Sequence, residues 1–169
     1  MICKCWKRFP IENIYIFSGY DFKKKFNERR YGSGYKSDKL DYAHKIRLEK
    51  ALSFVFKFGR KISNSLDTGC DPRMTRFLKE ATKSRSIGLN IISEGMDKSG
   101  DWVVCDVEIG LPFRDNFFDL IFCGEVIEHT FNTDYFISEV YRILRWFLII
   151  TTPNLASFWN RIFLLFAVT

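Results

Sequence analysis

The sequence predicts an α/β protein built on an open, doubly wound and mostly parallel sheet. After residue 60, short apolar runs alternate with segments whose apolar residues recur at helical spacing, and this alternation is typical of βαβ units. The run from Phe117 to Cys123 is almost continuously apolar, as expected for a strand that is covered on both faces. With 169 residues, the chain has room for one such domain.

Composition places the chain among globular proteins. Hydrophobic residues make up 47% of the chain and charged residues 27%, which excludes the disordered, collagenous and low-complexity classes. Cys3 and Cys5 form a lone C-x-C without a second pair or a nearby His, so no metal site is expected. The first residues contain no apolar core of a signal peptide, and no apolar run of the chain reaches the length of a membrane-spanning helix. We therefore expect a cytoplasmic protein with reduced thiols.

The basic character of the chain belongs to its N-terminal third. Residues 1–60 carry 15 Lys and Arg against 6 Asp and Glu, a net of +9, whereas residues 61–169 carry 11 against 14, a net of −3. We predict that residues 1–60 form a basic helical lid region and that residues 61–169 form the sheet domain. Lysines 23–25 lie between Phe22 and Phe26, which suits either an anionic partner or a solvated helix face. Because the charge is local, a nucleic acid is not expected as the partner.

The elements follow from apolar periodicity and turn signals, taken in chain order. The spacing predicts helices at 41–58, 73–83, from Asn132 or Thr133 onward, and at 155–166. The short apolar runs predict strands at 61–67, 86–90, 102–105, 117–123 and 147–151. Before the first of these helices, a basic helix and a loop over 31–35 are expected. The result is five strands with helices between them.

Ligands of such sheets bind beyond the carboxyl ends of the strands, so the residues that follow each strand are the candidates. Four segments of this kind carry polar or glycine residues, namely 66–72, 88–90, 105–107 and 124–129. A fifth, Thr-Pro-Asn, follows the last predicted strand at 152–154. Each segment alone is common, but their order along the chain is specific.

In that order, residues 61–166 resemble a class I S-adenosylmethionine-dependent methyltransferase of the small-molecule type. The motifs that carry the resemblance are D-x-G-C at 67–70, L-P-F-x-D-x-x-F-D at 111–119, E-x-x-E-H at 125–129 and T-P-N at 152–154. The resemblance implies a Rossmann-like fold and S-adenosyl-L-methionine as cofactor. The family sheet has two further strands beyond the five predicted here, so the resemblance also implies a chain truncated at its C-terminus.

The resemblance assigns cofactor binding to residues that follow the strands. These residues are Asp67, Gly69, Cys70, Asp71, Asn90, Asp106, Val107 and Glu125. Gly69 lets the backbone approach the methionine portion, and the helix near Pro72 points its N-H groups at the cofactor carboxylate. Asp67 lies under the loop and fixes its amides or meets the amino group.

The same resemblance assigns the adenine and the methyl acceptor to later segments. Asp106 accepts a hydrogen bond from the exocyclic amine of adenine, and Val107 offers its backbone N-H to the ring. The turn from Glu125 to His129 forms the floor beside the sulfonium methyl, where Glu128 and His129 are the candidate catalytic residues. Methyl transfer needs chiefly alignment of the reacting atoms, so a strong nucleophile is not required.

Three departures from the family pattern lie inside the motifs. Asp71 and Arg73 occupy positions where the family has glycine, and Asp71 as helix N-cap would compete with the cofactor carboxylate for the same amides. Asn90 replaces the acidic residue that binds the ribose hydroxyls, which weakens binding by about 1 to 2 kcal/mol. The usual glycine turn before the last strand is absent, so either the helix unwinds early or the strand shortens.

Two functions remain open at this point. One is methyl transfer from S-adenosylmethionine to a small-molecule or lipid-like acceptor. The other is a catalytically inactive, truncated remnant or binding module that keeps the fold. A nucleic-acid methyltransferase is disfavoured because the Asn/Asp-Pro-Pro-aromatic turn is absent after the fourth strand. A partner chain or a membrane surface is the candidate cover for the apolar helix at 155–166.

Overall fold

The structure is a computed structural model that describes residues 9–11, 14–16, 42–91 and 100–152. Two short 3-10 turns, Val107–Ile109 and Ile127–His129, precede and follow the sixth strand. The elements in chain order are β1 (Phe9–Ile11), β2 (Ile14–Ile16), α1 (Tyr42–Phe56), β3 (Asn64–Thr68), α2 (Pro72–Thr82), β4 (Arg85–Asn90), β5 (Asp101–Val104), β6 (Phe118–Gly124), α3 (Thr133–Ile143) and β7 (Leu144–Thr151).

The described strands form one sheet in the order β1-β2-β5-β4-β3-β6-β7. Five adjacent strands of this sheet are parallel to one another: β5, β4, β3, β6 and β7. They are the five strands predicted from the apolar runs, so the doubly wound α/β fold is confirmed. The chain runs outward from β3 in both directions, which places a switch of direction between β3 and β6 at the carboxyl edge.

Two strands lie where the sequence predicts only helix and loop. β1 and β2 belong to the N-terminal segment 1–60, and β2 extends the parallel sheet beyond β5 while β1 pairs with β2 in antiparallel register. The helical prediction is wrong for these residues. Ile, Tyr and Phe dominate both strands. β2 pairs with β5, which is distant in the sequence, and apolar periodicity does not reveal a contact of this kind. The role of segment 1–60 as a lid stays a prediction.

Both faces of the sheet are covered, as the apolar run in β6 predicts. Leu120 and Phe122 pack in a cluster with α1 and α2, whereas Ile121 and Cys123 pack in a second cluster with α3. Alternate residues of a strand point to opposite faces, so α1 and α2 cover one face and α3 covers the other. Each helix contributes buried apolar residues to its cluster: Leu48, Leu52 and Val55 of α1, Met74 and Leu78 of α2, and Phe136, Val140 and Ile143 of α3.

The junction between α3 and β7 differs from the expectation that a connecting turn is needed. α3 continues to Ile143 and β7 begins at Leu144, so the helix does not unwind and the strand is longer than predicted. The backbone changes from helical to extended at Leu144 (φ −79°, ψ 142°). The register between β6 and β7 shifts near Phe118 and Leu120, which accommodates the abrupt entry.

Several predictions lie outside the described residues. These are the basic helix before residue 31, the loop over 31–35, the helix at 155–166, and Cys3 and Cys5. In the part of the chain that the structure describes, we find no helix with the length and apolar character to cross a membrane.

Candidate functional site

An open cavity of about 150 Å³ lies at the carboxyl edge of the sheet, beyond the ends of β3, β6 and β7. Its position is the one expected for a ligand in a doubly wound sheet, at the point where the strand order changes direction. Three carboxylates lie in its wall beside two glycines. The lining residues are Asp67, Gly69, Asp71, Met74, Phe122, Gly124, Glu125 and Thr151.

The loop that follows β3 is shaped by Gly69. Its φ of +68° lies in the left-handed region, and a Cβ at this position would come within 2.3 Å of Val126 Cγ2. The loop is fixed to β4, because Cys70 donates its N-H to the Leu89 carbonyl at 3.0 Å and Asn90 donates from Nδ2 to the Cys70 carbonyl at 2.9 Å. Glycine is therefore required here, both for the turn and for the close approach of Val126.

Asn90 holds this loop with one end of its amide, because Nδ2 donates to the Cys70 carbonyl. At the other end, Oδ1 accepts from the backbone N-H of the next residue, Ile91, at 2.7 Å. A ribose-binding role for Asn90 stays a prediction, in which Oδ1 accepts the ribose hydroxyl at its second lone pair or in exchange for the Ile91 N-H.

Helix α2 begins as the sequence predicts, with Asp71 as N-cap and Pro72 at the first helical position. Asp71 Oδ1 accepts from the Arg73 backbone N-H at 2.9 Å. The Arg73 guanidinium also folds back on the same carboxylate, with Nε 2.9 Å from Oδ1 and 3.0 Å from Oδ2, and Nη2 against Oδ2. The pair is half-buried and its two charges compensate each other at the rim of the cavity.

Asp67 is the most buried acid of the cavity wall, with 1% of its surface exposed. Its Oδ2 accepts from the Thr75 hydroxyl at 2.5 Å. Burial raises the pKa of this carboxyl to about 8, and the nearby charge of Asp71 adds to the rise while the bond from Thr75 opposes it. A carboxyl group in these surroundings holds its proton at neutral pH and donates or accepts according to its neighbour.

Glu125 faces the cavity from the turn after β6. Its φ of +56° is unusual for a residue with a side chain, and its N-H donates to the Thr151 carbonyl at 3.0 Å, which joins the ends of β6 and β7. Its Oε1 accepts from Arg47 of α1 at 2.9 Å. The pair brings the helix that follows the basic segment to the mouth of the cavity.

The predicted adenine contacts lie after β5. Asp106 is buried, with 4% of its surface exposed, and its Oδ1 accepts from the Glu108 N-H at 3.0 Å as the cap of the turn Val107–Ile109. Val107 packs against the core cluster of α3. Both residues therefore lie at the carboxyl edge, next to β4 and away from the lining of the cavity.

Glu128 and His129 lie on the 3-10 turn Ile127–His129 and are exposed. The cavity wall includes Glu125 of the same segment but neither of these two side chains. The predicted site is thus only partly assembled around the cavity. Asp67, Gly69, Asp71 and Glu125 meet there, whereas the other predicted residues lie elsewhere in the described structure: Cys70, Asn90, Asp106, Val107, Glu128 and His129.

Four residues of the site were absent from the sequence prediction: Met74, Phe122, Thr151 and Arg47. Gly124 lies in the predicted segment 124–129 but was given no role of its own. Thr151 is the last residue of β7, so the rule that ligands lie beyond strand ends would have found it. Met74 lies on the first turn of α2, three residues after the N-cap. Arg47 has no such signal, because its contact spans 78 positions of the chain.

Metal ligation and thiol chemistry find no support among the described residues. No group of His, Cys, Asp and Glu in this part of the chain could hold a metal ion. Cys70, Cys105 and Cys123 are buried free thiols. Burial raises the pKa of all three, that of Cys123 to about 12, so they are protonated packing residues.

Residues 66–146 match the family described as a methyltransferase domain. A probable methyltransferase from Aspergillus luteorubrus is 26% identical over 115 residues, which cover 57% of this chain and 40% of the fungal protein. The chain thus spans less than half the length of this curated relative.

Two solved structures share the fold. A SAM dependent methyltransferase from Archaeoglobus fulgidus superimposes with a TM-score of 0.57 at 19% identity and covers 84% of this chain and 63% of its own. A phosphoethanolamine N-methyltransferase from Haemonchus contortus, solved with S-adenosyl-L-methionine, has a TM-score of 0.57 at 18% identity over 89% of this chain and 41% of its own. The family match over residues 66–146 and the strand order agree with the motifs around Gly69 and Glu125, so the chain has the fold of the class I S-adenosylmethionine-dependent methyltransferases and is similar to them over this segment.

Proposed function

We propose that this chain binds S-adenosylmethionine at the carboxyl edge of its sheet and directs the methyl group to a small-molecule acceptor. The observation that carries the proposal is the cavity beyond β3, β6 and β7, with the Gly69 turn in its wall. This is the position at which the family holds its cofactor, and the loop keeps the backbone geometry that a close approach requires.

The charges of the cavity suit part of this cofactor and oppose another part. Asp71 and Glu125 present carboxylates, which favour the sulfonium and the ammonium group by electrostatic attraction. Binding of the cofactor carboxylate is disfavoured, because Asp71 occupies the helix N-terminus that would otherwise bind it. Binding thus requires Arg73 to divide its donors between Asp71 and the ligand.

The residues of the chain have positioning roles in this proposal. When bound, the cofactor supplies a methyl group on a sulfonium, which is already activated toward attack. Gly69 and Gly124 leave room for the methionine portion, and Asp106 and Val107 hold the adenine beyond β5. Glu125 orients the acceptor and takes its proton where the acceptor is a weak acid, with Arg47 stabilising the carboxylate. Glu128 and His129 keep a catalytic role only as a prediction.

A second candidate is a non-catalytic module that keeps the fold. Two observations favour it: the Asp71–Arg73 pair closes the helix N-terminus, and the amide of Asn90 is engaged by Cys70 and Ile91. Both features reduce the affinity for the cofactor. Under this alternative the cavity holds a ligand, or the domain holds a partner, without transferring a methyl group.

Calorimetric titration with S-adenosylhomocysteine separates these candidates at the first step. We expect binding in the micromolar range by the parent chain and its loss in Gly69→Ala, whose Cβ collides with Val126. Gly59→Ala is the matched control, because Gly59 also has a positive φ of +65° but has nothing within 4 Å of the added Cβ. No detectable binding of S-adenosylhomocysteine by the parent chain would contradict cofactor binding.

The second step concerns the methyl acceptor. Release of S-adenosylhomocysteine is measured with small-molecule amines, alcohols and thiols, and in parallel with lipid vesicles. Turnover with a soluble acceptor supports the proposal, whereas turnover only with vesicles indicates a lipid-like acceptor. Tight cofactor binding without turnover on either panel would favour the non-catalytic module.

A further inference from the structure

We infer that the Asp71 carboxylate competes with the carboxyl group of the cofactor for the hydrogen-bond donors of Arg73, and that this competition sets which adenosyl ligands the site binds. The inference rests on the proposed function, since it concerns the same cavity. It goes further by predicting a preference: the parent chain binds an analogue of S-adenosylmethionine that lacks the carboxyl group more tightly than it binds S-adenosylmethionine itself.

The first argument is the use of the amide groups in the first turn of α2. Pro72 has no N-H, and the Arg73 N-H donates to the Asp71 carboxylate at 2.9 Å. The next two amides, of Met74 and Thr75, donate to the Asp71 carbonyl at 2.8 and 3.0 Å. The Thr75 bond is the ordinary first bond of the helix, whereas the Arg73 and Met74 amides are ones that a helix N-terminus can offer to an external anion, and Asp71 receives both.

The second argument is the position of the Asp71 side chain. It lines the cavity, and its side chain keeps 22% of its surface exposed while the Arg73 side chain keeps 21%. A ligand carboxylate that approaches α2 finds the Arg73 amide and guanidinium already bonded to the Asp71 carboxylate. To be bound, it must displace Asp71 from the Arg73 amide or share the Arg73 guanidinium with it. A ligand that carries only the ammonium and sulfonium groups needs neither donor and avoids this competition.

The third argument is a contrast within the same chain. The guanidinium of Arg142 is also paired with acids, but it additionally donates to the carbonyls of Leu111 and Phe113 at 2.9 and 2.8 Å and so fixes a turn. The bonds between Arg73 and Asp71 join residues two positions apart and hold no second segment of the chain together. Exchange of Asp71 for another carboxylate at Arg73 therefore breaks bonds between near neighbours and not a bond between distant segments.

The test measures two ligands on three proteins by calorimetry. The ligands are S-adenosylmethionine and its decarboxylated analogue, and the proteins are the parent chain, Asp71→Asn and Asp115→Asn. Asn is as good an N-cap as Asp, so α2 keeps its start. Asp115 is the matched control, because it also pairs with an arginine, its side chain is 69% exposed, and it lies outside the cavity wall.

In the parent chain and in Asp115→Asn, the decarboxylated analogue is expected to bind more tightly. In Asp71→Asn the affinity ratio should shift toward S-adenosylmethionine by about tenfold or more, the value of one hydrogen bond to a charged group. Near-ultraviolet circular dichroism verifies that each variant is folded.

Two outcomes overturn the inference, and they are distinguishable. If the ligands bind but the ratio in Asp71→Asn equals that of the parent chain, Asp71 does not compete with the carboxyl group, and the proposed function stands. If folded protein binds neither ligand in any of the three forms, cofactor binding itself fails and the inference fails with it.

Discussion

The two ends of the central strands each contain a buried aspartate, and the surroundings of the two side chains differ. At the amino end, Asp119 accepts from the backbone N-H groups of Ser63 and Asn64 at 2.8 and 3.1 Å and from Arg145 at 2.8 Å. At the carboxyl end, Asp67 accepts from one hydroxyl, that of Thr75, and faces a second acid. Asp119 is thus compensated by three donors, whereas Asp67 has the Thr75 hydroxyl as donor and an acidic neighbour.

The same contrast extends to the neighbouring residues. At the amino edge, the hydroxyls of Ser65, Ser84 and Ser86 bond to one another at 2.7 to 3.3 Å and are buried. At the carboxyl edge, Asp67, Asp71 and Glu125 line an open cavity instead of bonding to one another. The difference indicates that the amino edge supports the fold and that the carboxyl edge is shaped for binding.

The largest effect is expected for Asp119→Ala. This change leaves two backbone N-H groups and the Arg145 guanidinium without their acceptor and should lower the free energy of unfolding by about 3 kcal/mol. Urea denaturation at neutral pH measures it. Asp119→Asn is the companion variant, because it keeps one acceptor oxygen and should lose less. A loss below that of Asp67→Asn would contradict the assignment of the structural role to the amino edge.

The surroundings of Asp67 should instead make the free energy of unfolding depend on pH. Its pKa is about 8 in the folded chain, against an ordinary value near 4 in the unfolded chain. The folded state thus holds a proton that the unfolded state has lost. The stability from this group is complete below about pH 4 and declines as the pH rises toward about pH 8.

The variant Asp67→Asn removes this titration while it keeps the acceptor for Thr75. Relative to the parent chain, its free energy of unfolding should rise by about 2 kcal/mol between about pH 5 and about pH 6.5 and continue to rise toward about pH 8. Urea denaturation of both proteins across this range gives the difference, in which the other titrating groups cancel. A constant difference across the range would show that Asp67 is ionised in the folded chain.

Gly59 and Gly69 offer a matched pair across the two edges. Their φ values of +65° and +68° are nearly equal, but only Gly69 has a side chain within 3 Å of an added Cβ. Gly59→Ala should cost about 1 kcal/mol through backbone strain, and Gly69→Ala about 2 kcal/mol through strain and the collision with Val126. Thermal or urea denaturation compares them. Equal losses would mean that Val126 moves aside, so that the loop tolerates a larger residue.

Much of the fold follows from local pattern. The five parallel strands, the start of α2 at Asp71 and Pro72, and the cap of α3 at Asn132 all have local signals, and the structure has each of them. β2 lacks such a signal, because its pairing with β5 joins segments about 90 positions apart in the chain, and β1 joins the sheet only through β2. Adjacent residues in the sequence do not encode such a contact.

The site was less predictable for the same physical reason. Gly69, Asp71 and Glu125 lie in segments that follow strands, and the resemblance to the family gave them their roles. Whether a side chain then points into the cavity depends on partners elsewhere: Asn90 is turned toward the Cys70 loop, and His129 lies on an exposed turn. Likewise the pKa of Asp67 depends on its burial under α2, which no single segment of the sequence specifies.

The smallest effects are expected for the two exposed ion pairs, one at each edge. Arg47 pairs with Glu125 at the carboxyl edge at 2.9 Å, and Arg85 pairs with Asp101 at the amino ends of β4 and β5 at 2.8 Å. The arginine side chains are 42% and 63% exposed, so replacing either by Ala should change the free energy of unfolding by less than about 1 kcal/mol. Denaturation at low and high salt measures both, and the small losses should disappear as salt screens them.

The two arginine variants should nevertheless differ in ligand binding. Arg47→Ala releases the Glu125 carboxylate toward the cavity and should strengthen the preference for cationic adenosyl ligands. Arg85→Ala should leave the affinity unchanged, because Arg85 is remote from the cavity wall.

If Arg47→Ala destabilised the chain several times more than Arg85→Ala, the ion pair between Arg47 and Glu125 would be the main contact that holds α1 on the sheet. The buried side chains Leu48 and Leu52, which pack α1 on the sheet, argue that it is not, since a half-exposed ion pair contributes less than two buried leucines.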